Sequence, residues 1–266
     1  MDFELPHPGV LWVRAVVTDL LFAAFPGDVY EPGELAECVG ETTVVAGGRL
    51  DTEDCAGNWF ALVRYPGDRA VLFGWDREND VYDKPYDPRA VAPEWVRAIE
   101  LKAHHPRVLT ADAVSFVRWW ENDHWSSTPT EYDDGLYMCL HENAGPAGLA
   151  HRVEQAHENA ANVAFDDDTL EDLDHVGLDE LTRLTEAAER HEVREEDLSF
   201  LEPEVARAAY DYLRQAGITF GAPQTVEPLP NRLTLGPAES ERCTPMRSLG
   251  MSVAVSVRAQ RNVRFC

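Results

Sequence analysis

The sequence predicts an α+β fold: a mainly antiparallel sheet from the N-terminal part, a helical middle, and a C-terminal strand able to rejoin the sheet. Three observations predict it. Residues 59–65 (WFALVRY) and 69–75 (RAVLFGW) are aromatic, β-branched runs flanking Pro66-Gly67-Asp68, the pattern of a β-hairpin. From Ala147 the period becomes helical, with Leu149, Val153, Ala156, Ala160 and Val163 spaced four, three, four and three apart. Residues 252–257 (SVAVSV) alternate as a half-buried strand does.

The elements follow in chain order. Pro8-Gly9 precedes an apolar stretch at residues 10–25 that reads as a buried helix. Arg14 and Thr18, four apart, share one side of it and leave the rest apolar. Residues 42–50 (TTVVAGGRL) have the β-branched content of a strand, with Gly47-Gly48 as a turn or bulge. In the hairpin, Trp59, Ala61, Val63 and Tyr65 share one face, and Phe60 and Leu62 occupy the other. Both faces are apolar, which places the hairpin in the middle of the sheet. Residues 76–93, rich in Asp, Pro and Tyr, form a long loop.

Pro93 opens a helix with Trp95 and Ile99 four apart, ending near His105-Pro106. Thr110 caps a second helix running through Trp120. Residues 135–141 (GLYMCLH) read as a strand, and residues 145–148 as a turn. Asp166-Asp167-Asp168 ends the helix that begins at Ala147. Asp179 caps another with Leu181, Leu184 and Ala188. Pro203 opens a third with Val205, Ala208, Ala209, Tyr212 and Leu213, and Gly217 stops it. Five prolines between Pro223 and Pro245 mark an irregular segment around a short strand at 233–235. The chain thus divides into an aromatic-rich part (1–145), an acidic helical part (146–217) and a proline-interrupted segment with the terminal strand (218–266). The alternative is one domain with a helical insertion.

Charge narrows the partners. The net charge is −25, and Lys occurs only at Lys84 and Lys102. Residues 1–150 carry net −15, residues 151–205 net −14, and residues 206–266 net +4. An acidic surface repels nucleic acid and anionic membrane and attracts basic proteins. The Arg-over-Lys bias also fits a GC-rich genome. No segment reads as a secretory signal or a membrane span: Arg14 and Asp19 interrupt the most apolar stretch. The five cysteines are odd in number and widely spaced, which fits reduced thiols in the cytoplasm. In the C-terminal part, Arg247, Arg258, Arg261 and Arg264 are expected to dock on the folded body, with the acidic helices one destination.

Most motifs of chemistry fail on spacing. His-Glu occurs at His141, His157 and His191, but the fourth residue on is Gly145, Ala161 and Glu195, so the zinc-protease pattern fails each time. His151 and His157 are six apart, about 240° around a helix. The run from Asp166 has Glu171 where a calcium-binding hand requires Gly. On the expected strand Cys139 and His141 share a face, the arrangement of a thiolate pair, but Met138 and Leu140 favour a core cysteine. His104-His105 sits at an expected helix end, where a cationic imidazole is favoured. No phosphate-binding loop, dinucleotide fingerprint or nucleophile elbow occurs.

Clustered Trp beside carboxylates is the remaining signal, and Trp119, Asp123, His124 and Trp125 are the candidate binding residues. No metal ligand set or cofactor is expected. The reading favoured by charge is an acidic, cytoplasmic binding protein for a basic protein partner, most concretely an immunity- or antitoxin-type inhibitor. The alternative is an enzyme, a hydrolase or transferase, whose site draws on Asp76, Asp80, His124 and His141.

Overall fold

The computed structural model describes residues 4–24, 41–45, 48–53, 57–104, 108, 114–141, 144–165, 177–220 and 244–245. Seven antiparallel strands form one sheet in the order β6-β5-β4-β3-β2-β1-β7. They are β1 (Glu41–Val45), β2 (Arg49–Glu53), β3 (Trp59–Tyr65), β4 (Arg69–Trp75), β5 (Phe116–Glu121), β6 (His124–Ser127) and β7 (Thr244–Pro245). Strands β1 to β6 are a meander in which each pairs with the next, and the C-terminal β7 adds to the free edge of β1.

The expected hairpin is the centre of this sheet. β3 and β4 pair from Trp59↔Trp75 to Tyr65↔Arg69, and Gly67 (φ 78°) and Asp68 (φ 53°) make the turn. A residue without Cβ enters that left-handed region freely. Both faces are buried. Phe60, Leu62, Ala70 and Leu72 meet the helices, while Trp59, Ala61, Val63, Tyr65, Val71 and Phe73 meet the segment from Ala92 to Val117.

Four expectations for the N-terminal part are corrected. Residues 42–50 are two strands, because Gly48 (φ 93°) reverses the chain between β1 and β2. The expected helix ending at Trp120 is replaced by β5, which pairs with β4 from Ala70↔Trp120 to Gly74↔Phe116. Asn122 (φ 55°) and Asp123 (φ 61°) then form the two-residue left-handed turn that suits a right-twisted hairpin. Residues 135–141 are not a strand but helix α3 (Leu136–His141). The Asp134 carboxylate accepts the Leu136 N–H at 3.3 Å, an N-terminal cap, and Leu and Met favour a helix intrinsically. The helix opened by Pro93 is only α2 (Glu94–Arg97), followed by a 3-10 turn at Leu101–Ala103.

The helices that cover the α1 side of the sheet are α1 (Pro8–Ala24), α3, α4 (Pro146–Phe165), α5 (Leu178–Glu189) and α6 (Pro203–Gln215). α1 is buried nearly all round, including Thr18, because it lies between the sheet and α4, α5 and α6. Polar side chains tie it to the last helices: Arg14 Nε donates to Glu189 Oε1 at 3.2 Å, and the Tyr212 hydroxyl donates to Asp19 Oδ2 at 2.8 Å. The Trp12 indole N–H adds a bond to the Ala216 carbonyl at 2.9 Å. α4 buries Leu149, Val153 and Ala156 as its spacing predicts. Gly177, not Asp179, precedes the first turn of α5, and the Glu180 carboxylate accepts the Gly177 N–H at 2.7 Å. Pro203 opens α6, and Gly217 (φ 76°) follows its end. One cluster of buried side chains runs from Leu11 through Phe60 and Leu72 to Leu213 and Ile218, joining the sheet to the acidic helical part. The expected strands at 233–235 and 252–257, the Asp166–Asp168 run and the C-terminal arginines lie outside the described residues.

Candidate functional site

The structure divides the four tryptophan-site residues. Register pairs Trp119 with Ser126 and Trp120 with Trp125, so Trp119 and Trp125 face opposite sides of the sheet. Trp119 is 7% exposed and packs with Val114 and Val117. Trp125 is half-buried, stands edge-on to Trp120 at 5.7 Å, and donates its indole N–H to the Pro6 carbonyl at 2.7 Å. Asp123 and His124 are exposed at the turn between them. The arrangement joins Trp125 to the segment before α1 and leaves Trp119 in the opposite core.

The residues proposed for catalysis are also dispersed. Asp76 is buried beneath the loop that follows β4 and accepts the Glu78 N–H at 3.0 Å. Asp80 is exposed, and its N–H donates to the Asp133 carbonyl at 2.7 Å. His124 is exposed at the β5–β6 turn. His141 stacks on Tyr137 at 4.6 Å at the far end of α3. On α3 the Cys139 and His141 side chains diverge by about 200°, so they form no pair. Cys139 is fully buried, and its thiol is 3.4 Å from the Trp75 carbonyl.

Loop 76–93 instead builds a surface with the segment 128–134. Besides the Asp80–Asp133 bond, the Tyr86 hydroxyl donates to the Thr128 carbonyl at 3.2 Å, and the Thr128 hydroxyl donates to the Pro88 carbonyl at 2.9 Å. Burial, with help from Asp134, pushes the Tyr86 hydroxyl up to about 12, so it remains a donor. On the outside of this clasp, Glu78, Asp80, Asp83, Asp87, Glu131 and Asp133 are exposed. Tyr82 is 78% exposed and stands edge-on to Trp75 at 5.7 Å. Lys84 is paired with Asp83 at 2.8 Å and lies 5.7 Å from the Tyr132 ring centre. Carboxylates and tyrosine faces so interleaved can take Arg or Lys side chains by ion pairing and by cation–π contact. The Asp- and Tyr-rich composition of both segments was a usable sequence signal; their apposition was not.

A concavity lies where the start of α1, the end of β3 and the turns after α5 and α6 meet. Its volume is about 200 Å³, and it is lined by His7, Gly9, Arg64, Glu189, His191 and Gly217, among others. None of Asp76, Asp80, His124 or His141 lines it.

On the other face of the sheet, Arg49 from β2 pairs with Asp51 and donates Nη1 to the Ala103 carbonyl at 3.5 Å, next to His104. Burial raises the Asp51 carboxyl to about 6 against the opposing pull of Arg49 at 3.1 Å. Burial, reinforced by the Arg49 charge, lowers His104 to about 4. The expected cationic cap is therefore a neutral imidazole at neutral pH. His105 and Pro106 lie outside the described residues.

Among the described residues, no group of three or more His, Cys, Asp or Glu side chains could hold a metal ion. No described helix is long and apolar enough to cross a membrane. No protein-family model, curated protein or solved structure matches the chain.

Proposed function

We propose that the chain is an acidic cytoplasmic binding protein whose partner is a basic protein, and that loop 76–93 with residues 128–134 forms the docking surface. The observation that carries this reading is the 78% exposure of Tyr82 amid exposed carboxylates on a loop clasped by one backbone and two side-chain hydrogen bonds. A large aromatic ring left in solvent on a preorganised surface is the kind of group that anchors interfaces. The field of a chain with net charge −25 speeds encounter with a cationic partner and disfavours nucleic acid. Masking a basic toxin, in the manner of an immunity protein, is the most specific form of this reading.

Affinity capture from the native cytoplasm tests it. The wild-type chain and the variant Tyr82→Ala/Asp80→Lys/Asp83→Lys serve as paired baits at low and high salt. The proposal expects basic proteins retained by the wild type at low salt and lost both in the variant and at high salt. Equal capture by both baits would place the docking surface elsewhere, and acidic captured proteins would sink the electrostatic reading.

A further inference from the structure

We propose that the cavity between α1, β3 and the turns after α5 and α6 binds a phosphate group, as the free anion or as a small monoester. Its central feature is Arg64. Its side chain projects from β3 on the α1 side, with the guanidinium 6.0 Å from the Trp12 ring centre. Among the described residues, no group accepts a hydrogen bond from this guanidinium and no carboxylate is paired with it within 4.0 Å. Burial works against its charge, and only Asp68, acting through space, supports it. An arginine so placed keeps five N–H donors available in a fork that matches an oxyanion.

The two imidazoles of the cavity have assignable protons. His191 Nδ1 lies 3.0 Å from the Gly217 carbonyl oxygen. A carbonyl can only accept, so Nδ1 carries a proton and Nε2 is the face left for a ligand. His191 is held there with φ 56° at the end of α5. His7 is the mirror case: Nδ1 accepts the Gly9 N–H at 3.0 Å, so the neutral ring carries its proton on Nε2. Arg64 and His7 thus bring donors to one cavity from two separate segments, and His191 Nε2 brings an acceptor from a third. A phosphate that keeps one P–OH can accept from Arg64 and His7 and donate that proton to His191 Nε2; an ionised carboxylate has no proton to give and is served by the arginine fork alone.

The neighbouring carboxylates have other engagements. Glu189 is held by Arg14 at 3.2 Å. Asp68 is largely exposed, 4.0 Å from His7 Nε2 and 3.5 Å from the Trp120 indole nitrogen. The first N–H groups of α1 add no free donors, because those of Gly9, Val10 and Leu11 already bond to His7. Binding therefore rests on the side chains of Arg64, His7 and His191.

The test is titration of the purified 266-residue chain with sodium phosphate, methyl phosphate or sodium acetate, balanced with chloride to constant ionic strength. Calorimetry and backbone amide NMR are the readouts. The expected result is saturable binding of phosphate or methyl phosphate with shifts centred on Gly9, His191 and Gly217. Methyl phosphate binding the tighter would assign the site to monoesters, and inorganic phosphate the tighter to the free anion. Arg64→Gln should weaken binding at least about tenfold, the scale of one lost charged interaction. His191→Asn, which tolerates the left-handed backbone, should weaken it by several-fold while leaving the circular dichroism spectrum unchanged. Should Arg64→Gln not fold, the His191→Asn result decides. Non-saturating shifts, undiminished affinity in either folded variant, or acetate bound as tightly as phosphate would each overturn the proposal.

Discussion

The His104 imidazole Nε2 lies 3.2 Å from the Tyr65 hydroxyl, inside the core that covers the sheet face opposite α1. The imidazole is 5% exposed, and its Nδ1 is buried without a hydrogen-bond partner among the described residues. Burial raises the Tyr65 hydroxyl far above the ordinary tyrosine range, so this contact stays neutral on both sides. Arg49 acts on both His104 and Asp51, so around this one guanidinium lie an acid pushed up and a base pushed down.

These two groups act on stability with opposite sign. Asp51 is raised from 3.8 to about 6, so it contributes stability that is present below pH 4 and lost as pH rises through 6. His104 is lowered from 6.5 to about 4, so it contributes stability that is present above pH 6.5 and lost as pH falls through 4. Each effect amounts to about 3 kcal/mol across nearly the same window, so in the wild type they offset. Urea denaturation from pH 4 to 7 should reveal each in the absence of the other. Relative to wild type, Asp51→Asn should gain stability with rising pH, and His104→Gln should lose it. Parallel profiles for the two variants would refute the assignment.

The Arg118–Asp134 pair is a separate determinant of the fold. The two side chains are 14% and 8% exposed and meet at 2.6 Å, and Asp134 also caps α3. Asp134→Ala leaves a buried guanidinium without its counter-charge and should cost about 3–5 kcal/mol in chemical denaturation. Replacing both partners by Met and Leu should recover much of that loss. A single-variant cost below about 1 kcal/mol would mean that solvent reaches the pair.

Two glycines separate backbone strain from space. A Cβ added at Gly67 (φ 78°) would meet nothing within 4 Å, whereas one added at Gly135 (φ 80°) would sit 2.0 Å from the Asp76 Cβ. Gly67→Ala should cost about 1–2 kcal/mol, the left-handed penalty alone. Gly135→Ala should add the cost of displacing the loop after β4 and exceed it by at least about 1–3 kcal/mol. Equal losses in thermal denaturation would mean that the loop yields freely.

Cys139 should behave as a core residue. With iodoacetamide in native buffer, peptide mapping should find it unmodified, and full modification should appear only in denaturant. Cys139→Ala should cost about 1 kcal/mol, the scale of a small buried group lost. Rapid native alkylation would return it to consideration as a nucleophile.

Local pattern alone specified the elements that admit one reading. The 59–75 hairpin carries a Gly-Asp turn suited to the left-handed region, and α1, α4, α5 and α6 are long enough for a helical period to declare itself. β5 was not legible, because it is covered on both faces. Phe116, Val117, Trp119 and Trp120 are all apolar and repeat at one, three and four, as a helix would. Alternation vanishes when neither face meets water. Residues 135–141 were too few to distinguish the two periods, and a carboxylate cap at Asp134 settled them as a helix. The sign of the charge was likewise plain in the composition. Where the groups meet was set by tertiary packing: Asp80 reaches Asp133 through backbone hydrogen bonding, and His7, Arg64 and His191 converge from distant parts of the chain. Such contacts follow from sheet register and helix docking, which depend on how separate elements bury one another rather than on any local pattern.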